Sequence, residues 1–296
     1  MRRALAICVA LAWPALASAQ ATFTAQEREV ATTSHSELGL WQQGSNPLSS
    51  DPTAAYTAND DHQASAPDFA LFAESVSSTA PPVVGPAVRP GAATASQTSS
   101  LGAQAITASA DVSASGDALM LFSDSPVIAA LNALLQPPVP YFFGYMKGTE
   151  GAGSNLTVTF WLSGPTPYHL TGSIAAGPGN VGFPSQFFFS SAHADLSGPG
   201  GTVLSDSVFS CACEHELNSQ GILAPGSYTL TLGAGTHVAP FCDPFTSTCT
   251  SYATDAAFDV NLSLAGVAVV PGPSRGALAL LGLALAAVGA AALRRA

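Results

Sequence analysis

Along the second half of the chain, apolar side chains fall on every second position in short runs broken by glycine and proline. In Leu156-Thr157-Val158-Thr159-Phe160-Trp161-Leu162, the residues Leu156, Val158, Phe160 and Leu162 share one face. That is the period of a strand with one side in a core. Phe258-Asp259-Val260-Asn261-Leu262-Ser263-Leu264 repeats the alternation, and Tyr228-Thr229-Leu230-Thr231-Leu232 does so after the turn Ala224-Pro225-Gly226. Further strands are expected at 168–174, 187–190 and 201–209, each bounded by turn residues. A series of short strands of this kind predicts an all-β fold, an antiparallel β-sandwich with long loops.

The first half is richer in Ser, Thr and Ala. Residues 27–40 and 93–113 read as long, weakly amphipathic strands with small side chains, whereas 41–67 and 79–90 read as loops. The stretch Pro81-Pro82-Val83-Val84-Gly85-Pro86 has too many prolines for a central strand and is expected to be an extended connector. Over 125–135, Val127, Ile128, Leu131, Leu134 and Leu135 recur at helical spacing before Pro137-Pro138. One short helix is expected there, closing an end of the sandwich.

Both ends of the chain read as targeting segments. Met1-Arg2-Arg3, an apolar run over 4–16 and Ala17-Ser18-Ala19 before Gln20 have the three regions of a secretory signal peptide, with cleavage after Ala19. At the other end, Val270-Pro271-Gly272-Pro273-Ser274 and Arg275 precede an Ala/Leu/Gly run over 276–293, backed by Arg294 and Arg295. At about 1.5 Å per residue this run is roughly 27 Å long, enough for a transmembrane helix. Arginines behind it favour a cytoplasmic C-terminus and place the preceding chain outside. The expected organisation is a signal peptide at 1–19, an exported domain at 20–268 and a sorting or anchor tail at 269–296. An ordinary permanent anchor and a lipid-anchor signal are the competing readings of the tail.

The tail resembles the PEP-CTERM sorting signal: a proline-bounded tripeptide, an apolar helix and terminal arginines in that order. Here the tripeptide is Pro271-Gly272-Pro273, with Gly272 where that family has Glu. The resemblance implies an exported protein of an exopolysaccharide-making Gram-negative bacterium. Its implied partners are Sec-type export machinery, signal peptidase and an exosortase-like membrane enzyme that recognises the tripeptide and removes the helix. Segments 68–76, 95–100 and 223–228 are similar in texture to the bodies of such proteins.

Charge excludes one class of partner. All 19 acidic residues lie between the two terminal segments, with only Arg28, Arg89 and Lys147 to oppose them. Nucleic acid, which needs clustered Lys and Arg, is set aside. An even set of cysteines, Cys211, Cys213, Cys242 and Cys249, fits disulfides in an oxidising compartment. Cross-pairing of Cys211 and Cys213 with Cys242 and Cys249 is the expected connectivity, because a bridge across one residue is strained. The alternative closes Cys242 to Cys249 around Asp243-Pro244-Phe245 and leaves Cys211 and Cys213 strained or free. With Cys211 and Cys213 in disulfides, Glu214, His215 and Glu216 become polar residues on a bridged loop. Zinc on this cluster, with His237 and Asp243, is the competing reading.

No catalytic residue, metal site or cofactor is expected. His35, His62, His169, His193, His215 and His237 are scattered without metal spacing, no Gly-X-Ser-X-Gly elbow is present, and Asp60-Asp61 beside His62 reads as a solvated loop. Trp161, Tyr141-Phe142-Phe143 and Phe187-Phe188-Phe189 would suit sugar stacking. The leading expectation is a non-enzymatic, exported surface or matrix protein. A carbohydrate-binding module of the matrix is the first alternative and a secreted hydrolase the second.

Overall fold

Period-two patterning dominates the computed structural model, which describes residues 21–45, 51–81, 91–180, 188–243 and 248–264. The strands are β1 (Ala21–Gln42), β2 (Ala54–Ser65), β3 (Phe72–Thr79), β4 (Gly91–Gly102), β5 (Ala105–Phe122), β6 (Tyr141–Leu162), β7 (Thr166–Pro178), β8 (Phe188–Gly198), β9 (Gly201–Phe209), β10 (Cys211–Leu223), β11 (Gly226–Val238), β12 (Cys242–Asp243), β13 (Thr248–Cys249) and β14 (Ser251–Leu264). Helix α1 (Pro126–Leu135) lies between β5 and β6. The all-β, antiparallel expectation is met. The signal peptide, the cleavage site at Ala17, Ala19 and Gln20, and the tail at 269–296 lie outside the described residues.

Twelve strands hydrogen-bond into one antiparallel, nearly closed sheet. One half runs β2-β1-β6-β11-β8-β9 and the other β3-β4-β5-β14-β7-β10. The halves face one another, β1 and β6 against β4, and β11 against β5 and β14. Between them lie Val30, Ile106, Val112, Leu156, Val158, Phe160, Leu170, Leu230, Leu232, Phe258, Val260 and Leu262, all buried. Each large apolar side chain removed from water contributes about 1.5–3 kcal/mol. The sequence alternations in β6, β11 and β14 are the inward faces of these strands.

Strand β5 joins the halves. Its residues up to Asp117 pair with β4 and β14, and from Ala118 to Phe122 it pairs with β6 instead. It takes over that edge of β6 where β11 leaves it, at Glu150. Gly116 sits at the changeover, where a Cβ would come 2.8 Å from the Gly148 carbonyl oxygen and 3.0 Å from Pro240. Only a residue without a side chain lets the backbones approach this closely. Helix α1 follows, capped by the Ser125 hydroxyl accepting from Val127 N and ended at Gln136 in the left-handed region. It buries Ile128 and Leu131 against Leu38, Leu40, Leu121 and Tyr141. The expected helix is therefore present.

Three segments differ from the sequence reading. Residues 93–113, expected as one long strand, are divided by a turn at 103–104 into the antiparallel pair β4 and β5. Residues 41–67 were expected as a loop, yet β2 occupies 54–65 and Trp41 belongs to β1. As an edge strand paired only with β1, β2 needs no apolar stripe, so its sequence carries no alternation. Likewise Glu214, His215 and Glu216 lie within strand β10, another edge, and not on a loop. Both open seams between the halves are tied by aspartates. Asp60 Oδ2 accepts from Thr79 N at 2.9 Å, and His215 Nδ1 meets Asp206 Oδ1 at 3.0 Å.

At Gly172, in the middle of β7, φ is 142° and a Cβ would stand 1.8 Å from the Asp259 carbonyl oxygen of β14. Gly172→Ala is expected to lower unfolding free energy by roughly 2–4 kcal/mol in urea titration. Gly200→Ala, at a position with no atom within 4 Å of the new Cβ, leaves it within about 0.5 kcal/mol.

Candidate functional site

Where β1, β6 and the end of β5 run side by side, register stacks three rows on the outer face. Glu37 lies opposite Lys147 and Lys147 opposite Ala118; Gly39, Tyr145 and Met120 form the next row; Trp41, Phe143 and Phe122 form the last. Gly39 makes room for the Tyr145 ring, since a Cβ there would come within 2.6 Å of it. The rings form a cluster, with Trp41 5.3 Å from Phe143 and 5.7 Å from Tyr145, and Phe122 5.8 Å from Phe143, centroid to centroid. Over this floor hangs the segment that follows β11. Phe241 N donates to Thr250 Oγ1, Thr250 N donates to Phe241 O, and the β12–β13 hairpin beyond is closed by the Cys242–Cys249 disulfide. The result is a groove of about 260 Å³ between Trp41, Phe143 and Tyr145 on the floor and Phe241 and Cys242 on the wall, with Lys147 at its edge.

The polar edge is fixed. Glu37 accepts from the Tyr145 hydroxyl on one oxygen and from Lys147 Nζ at 3.0 Å on the other. Burial works against the Glu37 charge, yet these two hydrogen bonds and the Lys147 charge hold its carboxyl below the usual range. Burial raises the Tyr145 phenol well above its ordinary value, and donation to Glu37 raises it further. The groove thus offers flat rings beside a preset carboxylate and ammonium. That pairing suits a neutral ligand with one apolar face and one hydroxylated edge.

A second polar feature lies inside. Arg28 is buried, with its guanidinium donating to Gln26 Oε1, to Ser99 O and Oγ, and to Asp68 O, and stacked 5.6 Å from the Phe72 ring. Further along the same inner face of β1, Ser34 Oγ contacts Ser78 Oγ at 2.7 Å and the Glu150 carboxyl. Glu150 is wholly buried, and its Oε1 has no hydrogen-bond partner among the described residues. Burial pushes its pKa up to about 7.

Other sequence candidates are placed apart. His35 meets Asn59 at 2.6 Å, His62 meets Asp60 at 3.0 Å, and His169 meets Asn218 at 3.3 Å. His193 lies under Gly233 and His237 is 5.4 Å from the Phe189 ring. Asp60, Asp61 and His62 stand on β2, not in a loop. Trp161 is half exposed on the outer face of β6, at the opposite end from the groove, while Phe143 is in it; Phe187 lies outside the described residues. The expected cross-pairing of cysteines is replaced by Cys211–Cys213 and Cys242–Cys249. Opposite register on two short strands places Cys242 beside Cys249, and a left-handed Ala212 brings Cys211 and Cys213 together on β10. Among the described residues no three His, Cys, Asp or Glu side chains group as metal ligands. The sorting motif at Val270, Pro271, Gly272, Pro273 and Ser274, with Arg275, Arg294 and Arg295, lies outside the described residues.

The sequence reading missed Glu37, Trp41, Tyr145 and Lys147. The odd positions 37, 39 and 41 and 143, 145 and 147 do alternate with the inward residues, but only register shows that they share a face.

The chain matches no family model and no curated protein. Among solved structures, one similarity is to the structure of infectious bursal disease virus Gt strain, 9% identical, over 91% of this chain and 72% of that one, at a TM-score of 0.18. Another is to the GH31 α-xylosidase from Xanthomonas citri, 8% identical, over 72% of this chain and 26% of that one, at 0.15. At these scores neither likeness bears on fold or function.

Glu150 gives the fold a pH dependence of defined sign. Unfolded, it ionises near 4.5; folded, it holds its proton to about pH 7. Its contribution is therefore fullest below pH 4.5, falls as pH rises to about 7 and is flat above. The loss is roughly 1–3 kcal/mol after allowance for screening. In denaturant titrations between pH 5 and 8, Glu150→Gln, which carries no charge, is expected to remove this decline.

Proposed function

We propose that this chain is an exported β-sandwich of the bacterial envelope or extracellular matrix, routed by its terminal segments and non-catalytic. In this reading the two facing halves of the sheet are the layers of the sandwich and the aromatic groove is its working surface. One observation carries the proposal. Ala21 N donates to Ala103 O at 3.1 Å and Leu264 N to Gln104 O at 2.7 Å, so the first and last described residues flank the same β4–β5 turn. The groove lies beyond the other end of β14, about 43 Å away at about 3.3 Å per residue. A body tethered at one pole and open at the other presents its groove away from the membrane.

The groove favours the carbohydrate-binding reading over the hydrolase. Phe241 and Tyr145 supply faces for pyranose C–H groups, while Lys147, positioned by Glu37, donates hydrogen bonds to ring hydroxyls. Glu37 is engaged by two donors, and no histidine is among the described residues that line the groove. Matrix polysaccharide is the proposed partner, and the exosortase-type processing of the Pro271-Gly272-Pro273 tail remains the proposed route. No cofactor has a role in it.

Two measurements test this reading. Intact-mass analysis of the protein recovered from membrane, medium and matrix fractions is expected to show loss of residues 1–19 and of the segment after 273; retention of 276–296 makes the tail a permanent anchor, and recovery from cytosol with residues 1–19 intact overturns export. In retention assays on neutral exopolysaccharide, Phe241→Ala is expected to weaken binding about tenfold, whereas Trp161→Ala at the other pole leaves it unchanged.

A further inference from the structure

The geometry points to a second, chemically distinct site: the Cys211–Cys213 disulfide as a reversible thiol–disulfide exchange centre for small neutral or cationic dithiols. The two bridges of this chain differ in kind. Cys242–Cys249 spans seven positions and fastens two register-paired strands, as a structural bridge does. Cys211–Cys213 spans two positions within one strand and so restrains the unfolded chain least. It fastens no second element.

The small ring also holds an unfavourable backbone, next to Ser210, which is left-handed as well at φ 47°. Ala212 has φ of 48°, in the left-handed region where its Cβ crowds the following carbonyl. Opening the ring frees Ala212 to return to the extended conformation of the rest of β10. The strand start can accept that change. Cys211 lies opposite Pro178, which has no N–H to give to the ladder, and β10 is the last strand of its half. Exposed bridges that hold an unfavourable backbone are the ones that exchange readily.

Access selects the direction of attack. Cys211 is exposed, whereas Cys213 is half-buried against the core. An incoming thiolate therefore forms a mixed disulfide with Cys211 Sγ, and Cys213 departs as a thiolate and takes a proton from water. In a dithiol, the second thiolate then attacks the bound substrate sulfur and releases Cys211. The substrate has lost two electrons and closed a disulfide; the Cys211/Cys213 pair has gained them. A small-molecule disulfide reverses both steps and restores the bridge. Glu214 and Glu216 follow on the same strand, and Asp206 reaches across the seam to His215. With 19 acidic residues against Arg28, Arg89 and Lys147 between the terminal segments, the field of the whole domain disfavours anionic thiols.

The full-length oxidised protein is treated with dithiothreitol, cysteamine or glutathione, quenched by alkylation and mapped by peptide mass. Cys211–Cys213 is expected to open at least about tenfold faster than Cys242–Cys249, with far-ultraviolet circular dichroism unchanged. Its equilibrium with dithiothreitol is expected to lie at least about tenfold, or about 30 mV, further toward the open form. Cysteamine is expected to act faster than glutathione at matched thiolate concentration, and cystamine to re-close the reduced pair. Cys213→Ser is expected to form a mixed disulfide at Cys211 faster than Cys211→Ser forms one at Cys213. Equal opening of the two bridges, or opening of Cys211–Cys213 only together with loss of the circular dichroism signal, overturns the exchange centre; faster reaction with glutathione overturns the substrate class.

Discussion

Everything in this fold depends on a place where three backbones meet. At Gly116, Gly148 and Pro240 the chain passes from one half of the sheet to the other, because β5 leaves β14 and takes the edge of β6 that β11 has vacated. Backbone donors and acceptors in a buried sheet must find partners, so a strand that changes neighbours has to do so without a gap. A side chain at Gly116 would hold the strands apart and break that continuity.

The same changeover builds the candidate site. It brings Met120 and Phe122 alongside Tyr145 and Phe143, completing a floor that β1 and β6 begin. Pro240, packed on Gly116, leads directly into Phe241, the groove's wall. Core and groove are two faces of one ladder. Inward positions of β1 and β6 carry the apolar layer, and outward ones carry the aromatic cluster and its Glu37–Lys147 edge.

The interior is less uniformly apolar than the strand alternation suggests. Under β1 lie Arg28, Ser34, Ser36, Ser78, Gln97, Ser99 and Glu150, a buried polar zone beside the apolar layer. Each nitrogen of the Arg28 guanidinium donates to a carbonyl or side-chain acceptor, which is what allows it to be buried. Glu150 meets the same requirement differently, by keeping its proton in the fold. Small hydroxyl side chains let the two halves approach closely here, at the expense of apolar burial.

By itself the sequence determined that the chain is all-β and antiparallel, that 156–162, 228–232 and 258–264 are strand segments, and that one short helix ends before Pro137, because alternation and turn chemistry are local properties. It also carried Phe143 as an aromatic candidate. It did not disclose β2, β3 or β10, whose polar edges need no alternation, and it held the Cys242–Cys249 bridge only as the alternative to cross-pairing. Which strands become neighbours, and in what register, is decided only when the halves close on one another. That step places Glu37 beside Lys147 and Trp41 beside Phe143 from positions more than 100 residues apart, and it sets Cys242 against Cys249. Tertiary pairing alone turns scattered outward residues into a groove, since a strand specifies which side a residue faces but not what it will face there.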